Sequence, residues 1–151
     1  MGDTISVRGV VVTPNDSNTF ALSGSGRGQV WLQNGRGAFS GLGVIQDTIL
    51  PANYLQGYNS GDSILISGVV EEYERETYLR LFDSTTVSLI STANQLQIDT
   101  ISLCELNDSL SVNQLPTGEQ WEGSYIQLND VVVKEVNFFA GGTRVIFVVE
   151  D

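Results

Sequence analysis

The sequence predicts an all-β protein: a small antiparallel barrel of five strands followed by a C-terminal β-hairpin. Six short segments within the first ninety residues, at 4–13, 29–33, 42–45, 63–73, 77–82 and 86–90, show strand-like alternation or β-branched enrichment, each bounded by Gly, Asn, Asp or Ser. No stretch has the period of a long amphipathic helix. Closely spaced strands without crossover helices argue for a barrel rather than a parallel α/β sheet.

Taken in order, the first and fourth segments carry Gly9 and Gly68, placed where tightly curved strands bend across a barrel corner. Between the second and third, Asn34-Gly35 and Gly37 supply residues that tolerate positive φ, so the chain can reverse without strain. Residues 47–59 hold Pro51 and two tyrosines, and form either a short helix or an ordered loop plugging one barrel end. Residues 77–90 read as one broken final strand. The barrel thus occupies 1–92, and a polar connector, 93–124, carries one helical turn at 103–106.

A second apolar block opens at Tyr125 and forms the hairpin, residues 125–151. It echoes the first block: residues 126–133 (IQLNDVVV) match 5–12 (ISVRGVVV), and 145–151 (VIFVVED) match 29–35 (QVWLQNG). Such an echo signals tandem units of the same strand order. Either the chain is a piece of a tandem array, or the hairpin docks on the first barrel and closes its open edge. The second is the expectation here, because unpaired apolar strands present an aggregation-prone edge.

At 151 residues the chain supports one well-buried core but not two full-sized domains. It has no histidine and a single cysteine, Cys104, which excludes an internal disulfide, Ser-His-Asp and Cys-His catalysis, and most zinc, copper and haem sites. In its apolar setting Cys104 is expected as a buried small hydrophobe. The net charge of −11 repels polyphosphates over about a Debye length, roughly 8–10 Å at ordinary salt, which disfavours nonspecific nucleic-acid binding. No apolar run reaches the roughly 20 residues of a membrane span. The first residues lack the charged and apolar regions of a signal peptide, so the chain is expected to come from a longer precursor whose targeting signals lie elsewhere.

Trp31, Leu32, Gln33, Asn34, Gly35, Gly37, Phe39, Ser40 and Gly41 follow in order the pattern aromatic, apolar, Gln, Asp or Asn, Gly, any residue, Gly, then aromatic-Ser-Gly. This stretch resembles the second and third strands of oligonucleotide/oligosaccharide-binding barrels (OB-folds), particularly the variety found in large secreted bacterial proteins and beside secreted nucleases. The resemblance covers residue 4 to about 90. It implies an OB-fold-like barrel acting as a non-catalytic accessory binding or structural module of a larger secreted or cell-surface bacterial protein. Its partners would be neighbouring domains of the same polypeptide or another protein, with no membrane, metal or cofactor. The alternative it implies is a module that binds single-stranded nucleic acid or glycan for an attached extracellular hydrolase.

An OB-fold presents ligand-facing side chains near strands two and three, so Trp31, Gln33, Phe39, Tyr73, Tyr78 and Arg80 are the candidate ligand residues, together with Arg27 and Arg36. Rings there stack bases or sugars at about 1–3 kcal/mol each, although any barrel also needs aromatics for packing. Convergence of Arg8, Arg27 and Arg36 is the one hint of a phosphate site; the competing expectation is that arginines pair with carboxylates such as those around Arg75. Residues 24–28 (GSGRG) precede a strand rather than a helix, so they read as a loop and not a phosphate cradle. Residues 15–18 and 107–109 read as polar turns rather than calcium loops.

Overall fold

Strand β1 (Thr4–Val11) has a partner on each edge, and this closes the sheet. It pairs with β2 (Arg27–Gln33) through Val10 and Val11, and with β4 (Ser63–Tyr73) from Thr4 to Val10. The circuit is completed by β3 (Gly41–Asp47) and β5 (Glu76–Arg80), in the order β1-β2-β3-β5-β4. The result is a closed, five-stranded, OB-fold-like barrel. The computed structural model describes residues 3–12, 27–47, 50, 54–73, 76–106, 117–139 and 144–150. The glycine-rich 24–28 segment lies outside them except for its last two residues, and 15–18, 107–109, Glu74 and Arg75 lie wholly outside.

One ladder departs from the all-antiparallel expectation. β3 and β5 run parallel, with Gly43, Val44 and Ile45 opposite Tyr78, Leu79 and Arg80. The chain between β3 and β4 is too long for a hairpin, so β4 takes its place beside β1 and β5 returns next to β3 in β3's own direction. Residues 77–90 do form one broken strand along a single edge of β4. β5 pairs with Tyr73 back to Val69, and β6 (Val87–Ser91) continues with Ile66 back to Ser63.

Alternation sorts the side chains. Val11, Val30, Leu32, Val44, Ile64, Ile66, Leu79 and Leu81 face inward and form the core. At Gly68 a Cβ would stand 2.6 Å from Leu79 Cγ, so the curvature there requires glycine. In the loop after β3, residues 54–57 form a turn: Leu55 is buried in the core, and the Tyr54 N–H donates to the buried Gln46 Oε1 at 2.9 Å. It is the barrel plug.

The described chain divides into two compact units, Met1–Ile98 with Gln120–Tyr125, and Asp99–Glu119 with Ile126–Asp151. In the second unit, β7 (Asp99–Ile101) pairs in parallel with β8 (Ile126–Leu128), and β9 (Val132–Phe139) pairs with β10 (Arg144–Glu150) as a hairpin with a bulge near Val148. The hairpin therefore begins later than expected, because residues 126–128 take β7 as partner instead. On the hairpin, Phe138 and Phe147 are 68% and 60% exposed. Cys104 is also exposed. It lies in the 3-10 turn Leu103–Leu106, whose three-residue period puts the half-buried Leu103 and Leu106 on one side and turns Cys104 outward. Among the described residues no helix is long and apolar enough to cross a membrane.

Candidate functional site

Because Val30, Leu32, Val44 and Leu79 point inward, their neighbours Trp31, Gln33, Gly43, Tyr78 and Arg80 belong to the outer face of β2, β3 and β5. Gly43 lies opposite Trp31 on one side and Tyr78 on the other, forming one row across three strands. A Cβ on Gly43 would stand 2.7 Å from Tyr78 Cε1 and 2.9 Å from Trp31 Cζ3. The rings have closed over the glycine. Their centroids are 6.1 Å apart at 42°, within the range of favourable aromatic pairs.

A distant segment lies on top of this row. Gln120–Tyr125 packs with the barrel, its Gly123 so close to Gly41 that a Cβ on Gly41 would overlap the Gly123 carbonyl carbon and the Ser124 nitrogen. A Cβ on Gly123, whose φ is 66°, would meet Trp31 Cε3 at 2.9 Å. Three polar contacts fasten this strap. Gln33 Oε1 accepts the Tyr125 N–H at 2.9 Å, the Gln120 carbonyl accepts the Phe39 N–H at 2.6 Å, and the hydroxyls of Ser40 and Ser124 are 3.3 Å apart.

Gln33 is the hub of the attachment. Its Nε2 donates to the carbonyls of Gln97 at 2.9 Å and Gly35 at 3.0 Å, so a residue expected to face ligand is instead 3% exposed and spent on the protein's own backbone. Arg80 is committed as well. Its guanidinium binds Asp47 Oδ2 at 2.7 and 3.1 Å and Glu71 at 3.2 and 3.3 Å. The Asp47 hydrogen bonds, and then those of Glu71, raise its pKa above the ordinary arginine value. The charge is matched locally rather than held out for an anion.

The three arginines of the expected basic cluster start from separate places on the backbone. Arg27 opens β2 while Arg36 lies in the turn beyond its far end, which at about 3.3 Å per residue separates them by more than 20 Å. Arg8 reaches Ser63 Oγ at 3.4 Å, and Arg36 donates to the Ile98 carbonyl. Tyr73 ends β4; its side chain and that of Arg27 lie outside the described set. Phe39 alone stands out, 75% exposed with a φ of 60°, a conformation uncommon for a non-glycine residue.

Sequence reasoning passed over Trp121 and Gly123 as connector and assigned Tyr125 to the hairpin. The available signal was Gly41-Leu42-Gly43, two glycines on one face of a strand, which mark a close backbone approach. The Trp121 indole nitrogen is buried without an acceptor among the described residues. Among those residues no group of three potential metal ligands occurs. Comparison with protein-family models, with curated proteins and with solved structures found no match.

Proposed function

We propose that this chain is a non-catalytic structural module, an OB-fold-like unit in a series within a larger secreted bacterial protein, whose partners are its neighbouring domains. The observation that carries this reading is the strap. The face around Trp31 and Gly43, which an OB-fold uses for ligands, is filled by the protein's own residues 120–125. Gln33 and Arg80 have their polar capacity used internally, and a net charge of −11 opposes polyanions.

The test is a titration of the 151-residue chain with oligothymidylate and with a panel of oligosaccharides, followed by intrinsic fluorescence and calorimetry. No saturable binding is expected. Saturable binding that Trp31→Ala or Tyr78→Ala abolishes in a still-folded chain would overturn the reading.

One observation favours the second reading, a module that holds single-stranded nucleic acid or glycan. Phe39 presents its ring to solvent from a strained turn, and backbone strain of this kind gathers at ligand sites. Binding lost in Phe39→Ala alone, with Trp31→Ala still binding, would support a site at the turn beside the strap.

A further inference from the structure

We propose that two copies of this chain join through β10, the two strands running antiparallel about a two-fold axis at Phe147. The hairpin carries large apolar side chains in the open: Phe138, Phe147 and Ile146 are 68%, 60% and 53% exposed. Cross-strand partners share a face, so Phe138 with Val145, Val136 with Phe147, and Val133 with Val149 make one wholly apolar side. A lone two-stranded ribbon is at best marginally stable in water, and three or more strands are needed.

The two edges of the ribbon differ. On β9 the register jumps where Val148 and Val149 take Glu135 and Val133 as partners, so Lys134 is an extra residue bulged out of that strand. A bulge and a lysine are devices that protect a sheet edge from further strands. β10 runs from Arg144 to Glu150 without proline or glycine, and its charged residues stand only at its two ends. Among the described residues its one strand partner is β9. This is the edge that accepts another strand.

Reversed, β10 is complementary to itself. Antiparallel pairing about Phe147 sets Val145 against Val149 of the second copy, Ile146 against Val148, Phe147 against Phe147, and the Arg144 position against Glu150. Odd positions then extend the wholly apolar side across four strands, while opposite charges meet at both ends of the seam. A slip of two residues leaves both charged ends without a counterpart, and a slip of one sets the apolar side against the mixed one. The register is therefore specified as well as the contact.

The net charge of −11 does not oppose this seam. Residues 132–150 hold Lys134, Arg144, Glu135 and Glu150, which cancel, and charges beyond about 8–10 Å are screened at ordinary salt. Glu150 is ion-paired to Lys134 yet 49% exposed, and a carboxylate has room for a second cation. Because the β9 edge is protected, assembly closes at two copies instead of growing into a fibre.

Sedimentation of the 151-residue chain over about 1–200 μM tests the stoichiometry, with a shift from monomer to dimer and nothing larger as the expected result. Cross-linking tests the register. In a Cys104→Ser background, Phe147→Cys should oxidise to a disulfide-linked dimer at least about tenfold faster than Ile146→Cys or Val148→Cys, because directly opposed Cα atoms lie about 4.5–5.5 Å apart, within disulfide reach. Arg144→Glu should weaken dimerisation about tenfold, and Glu150→Arg added to it should restore the dimer. A chain that stays monomeric throughout would overturn the proposal, the hairpin then being covered within its own chain. Equal cross-linking at 146, 147 and 148 would overturn it in favour of stacked faces, and growth beyond the dimer would show the β9 edge to be open. A charge reversal without effect would refute the register. Ligand binding by the first barrel would leave the dimer untouched, and a monomeric chain would leave the module reading standing.

Discussion

Gln33 and Tyr125 are joined by a 2.9 Å hydrogen bond across ninety-two residues of chain, the side-chain oxygen of one accepting the backbone N–H of the other. The same amide group also binds two carbonyls, so Gln33→Ala leaves one donor and two acceptors to find water. Thermal or urea unfolding should show a loss of about 2–4 kcal/mol. Trp121→Phe, a few residues from the far end of that bond, removes an indole N–H that has no acceptor among the described residues and should change stability by less than about 1 kcal/mol.

Trp121→Phe also leaves Trp31 as the only tryptophan of the two in the chain. In that background Gly123→Ala, which puts a methyl against the Trp31 ring and onto a positive φ, should lift the strap. The expected signs are a red-shifted emission maximum and easier quenching by acrylamide. An unshifted spectrum would mean that the strap does not shield the ring.

The two ion pairs of Arg80 should differ in strength. Asp47 is 16% exposed and contacted twice, whereas Glu71 is 45% exposed. Double-mutant cycles with Asp47→Asn, Glu71→Gln and Arg80→Gln should give a coupling of about 1 kcal/mol for the first pair and less than about 0.5 kcal/mol for the second, with the second falling further in salt. Asp47 and Glu71 stabilise the Arg80 cation and raise its pKa. Its contribution is fully present below the unfolded arginine value and would be lost only as pH rose through the higher folded one.

Leu55 enters the core from the loop between β3 and β4 and is 1% exposed. Leu55→Ala should cost about 2–5 kcal/mol in unfolding measurements, as much as a change in a barrel strand. A small effect would show the plug to be dispensable.

Strand positions were readable because alternation and bounding turn residues act locally: residues 63–73 match β4 at both ends, and the helical turn at 103–106 appears where its leucines predicted. What local pattern could not reveal was pairing. Residues 126–128 continue smoothly into the valine run in sequence, yet in space they join residues 99–101, a choice made by tertiary contacts. Parity alone puts Trp31, Tyr78 and Arg80 on one outer face. Its occupant was not legible, because nothing near Gln33 in sequence says that its partner is the N–H of Tyr125.

The strap also has a place in time. On a ribosome the five barrel strands and β6 are complete once Ser91 has emerged, while Gln120–Tyr125 comes some thirty residues later, a delay of roughly 2–6 s at about 5–20 residues per second. A barrel that closes within that interval carries its Trp31 and Tyr78 rings bare until the strap arrives. That is the interval in which a chaperone or a stray neighbouring strand competes with residue 123 for the same ground.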